Sequence, residues 1–175
     1  MKIFKLLKPQ YAGRLIVNEG ETIDITDPCY DKPFRGCGIG DVKVKSGEYV
    51  CNVYVDTDGV VGGLGKTPCA NEIILPEYED EGEWNFLCYI GVDAGLAGCF
   101  INKPNFNDQE WEKVCDYTYN NKNFANKIYG AILINDLSLI KCRGFYTQSG
   151  YGDGTYPVWI KSYNDKIVGI RISFV

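Results

Sequence analysis

Histidine is missing from this sequence, and its absence narrows the chemistry that the chain can perform. The 175 residues include 18 Lys and Arg, 23 Asp and Glu and no His. Ser–His–Asp triads, Cys–His dyads and histidine-dependent metal hydrolysis are excluded, because each needs an imidazole as base or ligand. An enzyme made from this chain would have to use carboxylates, lysine, tyrosine or an unassisted cysteine.

Long apolar runs are missing as well. No stretch approaches the roughly 20 residues that span a bilayer, and lysines interrupt the apolar N-terminal segment before Pro9. This segment does not have the pattern of a signal peptide, so we expect a cytoplasmic protein that does not enter membranes. The formal net charge of −5 disfavours duplex nucleic acid and anionic membranes as partners.

Closely paired cysteines are also missing, although eight cysteines are present. None forms a C-x-x-C pair, and several, such as Cys51 and Cys88, lie inside apolar runs where cysteine behaves as a small buried side chain. We therefore expect reduced thiols in the core and no structural zinc. Cys29 and Cys99 are the best placed nucleophiles, but no histidine can activate either one.

What is present is the composition of a small β protein. A chain of this length with 45% hydrophobic residues fits one domain, residues 1–175, and can bury a core. Short runs rich in Val, Ile, Tyr, Phe and Thr recur between Gly, Asp and Pro, which is typical of strands. We predict a mainly β fold, either an antiparallel two-sheet sandwich or a flattened barrel.

The predicted strands share β-branched or aromatic residues and end at turn-forming residues. They are Arg14–Val17, Thr22–Thr26, Gly47–Val55, Val60–Leu64, Asn71–Leu75, Asn85–Val92, Gly98–Ile101, Gly130–Leu133, Leu139–Tyr146, Tyr156–Tyr163 and Ile167–Phe174. Hairpin turns are predicted at Asp58–Gly59 and at Asn164–Asp165, since these residues tolerate positive φ. The last hairpin should direct Ile170, Ile172 and Phe174 inward.

One helix is predicted over residues 108–119. Asn107 or Asp108 can serve as its N-cap, and acidic residues occupy its first turn. Residues on one helical face should pack on a sheet. They are Trp111, Val114, Cys115 and Thr118.

Three short stretches carry a resemblance to a known family. They are "DPCY" (Asp27–Tyr30), "GVDAGLAGCF" (Gly91–Phe100) and "QSGYGDGTYPV" (Gln148–Val158). In this order, followed by a final alternating strand, they resemble a domain family without an assigned activity that occurs in bacteria and their phages. The similarity spans Thr22 to Val175, and the last stretch is the most specific. The resemblance implies one β-rich scaffold and a phage origin, and it implies no catalytic residue.

Three aspartates follow or precede strand ends beside turn-forming residues. They are Asp27, Asp93 and Asp153. If they converge, their carboxylates could hold a hard cation such as Ca²⁺ or Mg²⁺. The alternative is that each aspartate caps its own turn by accepting backbone N–H groups, and that the protein has no cofactor.

The glycine-rich stretch also allows two interpretations. Its glycines leave backbone N–H groups open to a phosphate or ribose, although it matches neither the P-loop nor the dinucleotide fingerprint. The alternative is a tight hairpin. Aromatic and basic side chains of the last third could complete a nucleotide site by stacking on a base, or could form an ordinary solvated face. The candidate ligand-binding residues are Asp27, Asp93, Arg143, Tyr151, Gly152, Asp153, Tyr156 and Trp159.

These observations predict a non-catalytic protein that binds a small ligand. The sharpest form of the hypothesis is a phage anti-defence sponge, which sequesters a small nucleotide immune signal of the host and could be a homo-oligomer. Two alternatives stay open. One is a carboxylate-based, metal-dependent hydrolase that uses the three aspartates. The other is a protein-binding inhibitor or immunity protein, whose signature would be a flat surface without a pocket.

Overall fold

The computed structural model describes residues 7, 9–31, 37–56, 67–116, 118, 132–134 and 142–175. Its strands are β1 (Pro9–Val17), β2 (Thr22–Thr26), β3 (Gly38–Lys43), β4 (Gly47–Asp56), β5 (Thr67–Ile74), β6 (Glu83–Val92), β7 (Leu96–Ile101), β8 (Ile132–Ile134), β9 (Arg143–Gln148), β10 (Gly154–Tyr163) and β11 (Lys166–Ser173). Over the same residues the helical elements are α1 (Asp108–Cys115) and a short 3-10 turn (Pro76–Tyr78).

The strands form two antiparallel sheets that pack face to face. The six-stranded sheet has the order β1-β4-β5-β11-β10-β6, and the five-stranded sheet has the order β3-β2-β7-β9-β8. Strand β6 lies over β3 at one side of the sandwich, and β1 lies over β8 at the other. The predicted mainly β, two-sheet sandwich is confirmed, and the sheets do not close into a barrel.

The core lies between the sheets and consists of alternate residues from each strand. On β11 and just beyond it, Ile170, Ile172 and Phe174 are buried, as their alternation predicts. The turn between β10 and β11 contains Asn164 and Asp165 with φ of 47° and 61°, which confirms this hairpin. This hairpin occupies the middle of the six-stranded sheet, because β11 pairs on its other side with β5.

Helix α1 packs on the outer face of the five-stranded sheet. Asn107, one of the two predicted N-caps, is the N-cap, and it forms a capping box with Glu110. On the side of the helix that faces the sheet, Val114 is buried in one cluster with Phe100. The hydroxyl groups of Thr118 and Tyr146 lie 2.9 Å apart. Within the described part of the chain, no helix is both long and apolar enough to cross a membrane.

Strand β3 was not predicted, and other predictions fall outside the described residues. The sequence of β3 has few apolar residues, and the strand forms because it pairs with β2. The Asp58–Gly59 turn and the strand Val60–Leu64 lie outside the described residues, as do parts of the strands predicted at Gly130–Leu133 and Leu139–Tyr146.

The hairpin alternative for the glycine-rich stretch is wrong. Strand β9 before this stretch belongs to the five-stranded sheet, whereas β10 after it belongs to the six-stranded sheet. Residues 149–153 therefore carry the chain from one sheet to the other. Residues 93–95, between β6 and β7, also cross between the sheets, but in the opposite direction, from the six-stranded to the five-stranded sheet.

Candidate functional site

The buried carboxylate of Asp27 joins the first two signature stretches at one end of the sandwich. Its Oδ1 accepts the N–H of Cys29 at 2.8 Å. Its Oδ2 accepts the N–H groups of Asp93 and Ala94 at 2.9 and 2.7 Å. Asp27 therefore caps its own turn, as the turn-capping alternative predicts, and also fixes the crossing loop at residues 93–95.

The pKa values of Asp27 and of two side chains beside it are raised. Burial raises the pKa of Asp27 above its usual range, although the three N–H donors oppose this shift. Burial and the nearby charge of Asp27 raise the pKa of the Cys29 thiol to about 12. Burial and a hydrogen bond to Asp93 also raise the pKa of Tyr30. Cys29 is thus a poor nucleophile at neutral pH, because the thiolate is the reactive form.

The glycine-rich loop is tied to the other crossing loop and to the core. The N–H of Ser149 donates to the carbonyl of Gly95 at 2.9 Å. The Tyr156 hydroxyl donates to the carbonyl of Gly152 at 2.9 Å, and the Tyr156 ring packs edge-on against Phe174. Tyr156 therefore supports the loop from inside and is buried.

Part of this loop is open to solvent. Tyr151 is 40% exposed, and a Cβ built on Gly152 would meet no atom within 4 Å. Asp153 is exposed and immediately precedes Gly154, which pairs with Val92. The structure thus brings Asp27, Asp93, Tyr151, Gly152 and Asp153 to one end of the molecule.

The same end gives the hypothesis of a bound cation no support. Within the described residues, no three side chains of His, Cys, Asp or Glu are grouped so as to hold a metal ion. Both carboxylate oxygens of Asp27 already accept backbone N–H groups. The hydrolase alternative, which needs this cation, therefore has no observation in its favour.

Two predicted site residues lie elsewhere. Arg143 is at the opposite end of β9 from the glycine-rich loop, where it donates to the carbonyl of Ile16 at 2.6 Å and forms an ion pair with Glu21. Trp159 lies on the outer face of the six-stranded sheet, opposite Arg171 on β11. Neither side chain joins the end of the sandwich that contains Asp27.

Trp159, itself half-buried, instead belongs to an aromatic group whose other two members are exposed. The ring centroids of Phe86 and Tyr89 lie 5.0 Å apart, and those of Phe86 and Trp159 lie 5.7 Å apart. Phe86 is 48% exposed and Tyr89 is 59% exposed. We call these three residues the aromatic triad. The triad lies on β6, which is an edge strand, and on its neighbour β10.

A β-bulge in β6 creates the triad. Cys88 pairs with Val158 and Phe86 pairs with Trp159, so Leu87 is an extra residue without a partner in the ladder. In a regular strand, residues 86 and 89 would point to opposite faces, because side chains alternate. The bulge shifts this alternation by one position and brings Tyr89 to the face of Phe86.

The cations beside the triad already have partners. Arg171 pairs with Glu72 and lies 4.3 Å from the Trp84 ring centroid, and both residues of the pair are buried. The amine of Lys161 donates to the carbonyls of Tyr78 and Glu79. The turn just before β6 and the first residue of β6 carry exposed acidic side chains. They are Glu79, Asp80, Glu81 and Glu83.

Comparisons with known proteins do not assign a family to the chain. Protein-family models, curated proteins and solved structures were all searched, and none of them matches. The structure establishes a two-sheet β-sandwich, and the geometry of its surfaces is what bears on function.

Proposed function

We propose that this chain is a non-catalytic binding protein that recognises another protein through the aromatic triad. The observation that carries the proposal is the contact between Phe86, Tyr89 and Trp159 on an exposed sheet face. Single exposed apolar side chains are common, whereas a contiguous exposed group marks a binding surface. Aromatic residues also contribute a large share of the energy at protein interfaces.

The bulge in β6 supports the same proposal. It leaves Leu87 unpaired in the ladder, and a bulge of this kind re-aims side chains at functional sites. Without the bulge, Tyr89 would point inward and pack on the core. With the bulge, its large side chain points toward solvent. The outer face of a sheet is also the flat type of surface that an inhibitor or immunity protein presents.

The described reactive groups support a protein without catalysis. Burial raises the pKa of the thiols that would have to ionise, which opposes thiolate chemistry. These thiols are Cys29, Cys51, Cys69, Cys88, Cys99, Cys115 and Cys142. Burial lowers the pKa of Lys103, but its amine is enclosed and donates to the carbonyls of Tyr30 and Pro104.

A capture experiment with matched variants tests the proposal. Wild type, the double variant F86A/Y89A and the control Y11A would be immobilised and exposed to lysate of the source cells. Tyr11 is a suitable control because it is 56% exposed on β1, the other edge of the same sheet. We expect at least one protein that wild type and Y11A retain and F86A/Y89A does not, with purified components confirming the affinity by calorimetry. Equal retention by all three forms would contradict the proposal.

A nucleotide sponge of phage origin is the second candidate, and the exposed ring of Tyr151 favours it. Tyr151 neighbours the open surface of Gly152, where a base could stack on the ring. Thermal shift measurements with cyclic nucleotides and ADP-ribose derivatives would test this candidate. A rise in Tm that Y151A abolishes would support it, and no shift at millimolar ligand would exclude those ligands. A cytoplasmic homo-oligomer remains part of this second proposal.

A further inference from the structure

The charges around the aromatic triad point to a particular partner, and we infer that the triad docks a polypeptide segment that carries arginine or lysine. This inference rests on the proposed function, and it adds the chemistry of the partner. The triad alone would suit any apolar or aromatic ligand. The neighbouring charged groups decide which ligand the surface attracts and which it repels.

The first step is that Arg171 and Lys161, the described cations beside the triad, already have partners, and that the exposed Lys166 lies further away, at the β10–β11 turn. Arg171 donates from Nε to Glu72 at 2.8 Å and also contacts the hydroxyl of Tyr54. Lys161 is buried, and its amine donates to two carbonyls of the preceding turn. Breaking a buried ion pair to bind a phosphate would be costly. A nucleotide or an acidic peptide would therefore find no ready counter-charge here.

The second step is that the exposed charged side chains described in the loops at the two ends of β6 are negative. Lys161 holds the carbonyls of Tyr78 and Glu79, and this contact draws the acidic turn toward the outer face beside Trp84. We define Glu79, Asp80 and Glu81 as the acidic rim. At the other end of β6 the chain continues into Asp93, and Asp153 follows in the next register position. The triad therefore lies on a strand with acidic groups at both ends.

The third step is that aromatic faces attract cations, and this protein already contains one such pair. The guanidinium of Arg171 lies 4.3 Å from the ring centroid of Trp84, which is two residues from Phe86 on the same face. Arg and Lys bind favourably over aromatic rings because of the ring quadrupole. Exposed triad rings beside an acidic rim thus favour a cationic side chain from outside.

The same charges argue against a second copy of this chain as the occupant. Two copies paired antiparallel along β6 would place the acidic rim of one against the end of the other that contains Asp93 and Asp153. Like charges brought together at an interface cost free energy and suppress the wrong partner. Each copy also carries a formal charge of −5.

Selection from random peptides tests the inference without assuming a sequence. A library of displayed peptides of about 12 residues, long enough to follow a strand of the length of β6, would be selected on the full chain. Peptides that also bind F86A/Y89A would be removed. We expect the triad-dependent peptides to be enriched in Arg and Lys. For one such peptide, calorimetry should show about a tenfold loss of affinity for F86A/Y89A and no change for Y11A.

A charge variant of the rim separates the electrostatic part. The variant E79Q/D80N/E81Q should bind the selected peptide about three- to tenfold more weakly than wild type at low salt. This difference in affinity should shrink at high salt. If thermal melting shows that F86A/Y89A is less stable than wild type, the single variant Y89S takes its place in the binding measurements.

The outcomes are distinguishable. Triad-dependent peptides that are neutral or acidic would overturn this inference and leave the proposed function standing. No triad-dependent peptide, together with no triad-dependent partner in the capture experiment, would contradict both. Self-association abolished by F86A/Y89A would identify a second copy as the occupant and overturn the inference. ATP binding abolished by the same variant would overturn it as well.

Discussion

Asp27 and Asp93 are joined by a hydrogen bond from the backbone N–H of Asp93 to the buried carboxylate of Asp27, at 2.9 Å. The same oxygen accepts the N–H of Ala94 at 2.7 Å. One side chain at the exit of β2 thus stabilises the loop that leads from the six-stranded to the five-stranded sheet. The contact gives both "DPCY" and "GVDAG" a structural role at this end of the sandwich.

Removing the Asp27 carboxylate should destabilise the fold. In Asp27→Ala, three partly buried N–H groups lose the carboxylate that accepts them, and each unsatisfied group costs about 1 kcal/mol or more. We expect a loss of at least about 3 kcal/mol in the free energy of unfolding, measured with urea. Asp153→Ala, an exposed change at the same end, should stay within about 0.5 kcal/mol. Similar losses for both variants would show that Asp27 does not hold the loops.

The raised pKa of Asp27 predicts a pH dependence of known sign. Because its folded pKa lies above the unfolded value, its contribution is fully present below the unfolded pKa and is lost as pH rises through the folded pKa. The stability of wild type relative to Asp27→Asn should therefore increase as pH falls from 7 to 4. Urea unfolding at several pH values measures this difference. An advantage that grows toward neutral pH would indicate a lowered pKa instead.

Two glycines in the crossing loop should respond differently to alanine. Gly150 and Gly152 have φ of 75° and 82°, so either substitution strains the backbone by about 1–2 kcal/mol. A Cβ on Gly150 would also lie 2.2 Å from the carbonyl oxygen of Pro68, whereas one on Gly152 meets open space. Gly150→Ala should therefore be clearly less stable than Gly152→Ala in thermal melting. Equal melting temperatures would contradict this packing.

Removing only one partner of the buried ion pair between Glu72 and Arg171 should lower the free energy of unfolding substantially. Arg171→Met leaves the Glu72 carboxylate buried without its cation, and such changes cost about 3–5 kcal/mol. The double variant E72M/R171M should recover part of this loss, because no isolated charge remains. Arg14→Met, at the exposed Arg14–Glu48 pair, is the control and should lose much less. A double variant that is no more stable than Arg171→Met would refute the argument.

Regular local patterns made part of this fold predictable. The hairpin at Asn164–Asp165 combines turn residues with strict alternation, and α1 has its N-cap at Asn107. Strand β3 has no such pattern and depends on β2. The sequence also suggested that the glycine-rich stretch was a hairpin or a cradle, since local residues do not reveal which sheet each neighbouring strand joins.

The aromatic triad could not be predicted from the sequence for a related reason. Trp159 was among the predicted ligand-binding residues, but Phe86 and Tyr89 were not. Simple alternation places residues 86 and 89 on opposite faces, and only the pairing with β10 reveals the bulge at Leu87. The one available signal was the density of aromatic residues in "EWNFLCYIGV". Arg143 was predicted beside the glycine-rich loop because the two are close in sequence. In the structure they lie at opposite ends of β9.

Photo-crosslinking at Tyr89 is the most direct test of the claim that the triad binds a protein. Tyr89 would be replaced by p-benzoylphenylalanine, with the same replacement at Tyr11 as the control, and the protein irradiated in the source cells. We predict a defined protein adduct from position 89, with the crosslinked segment bearing Arg or Lys, and no such adduct from position 11. No adduct at position 89, or the same adducts at both positions, would contradict the claim.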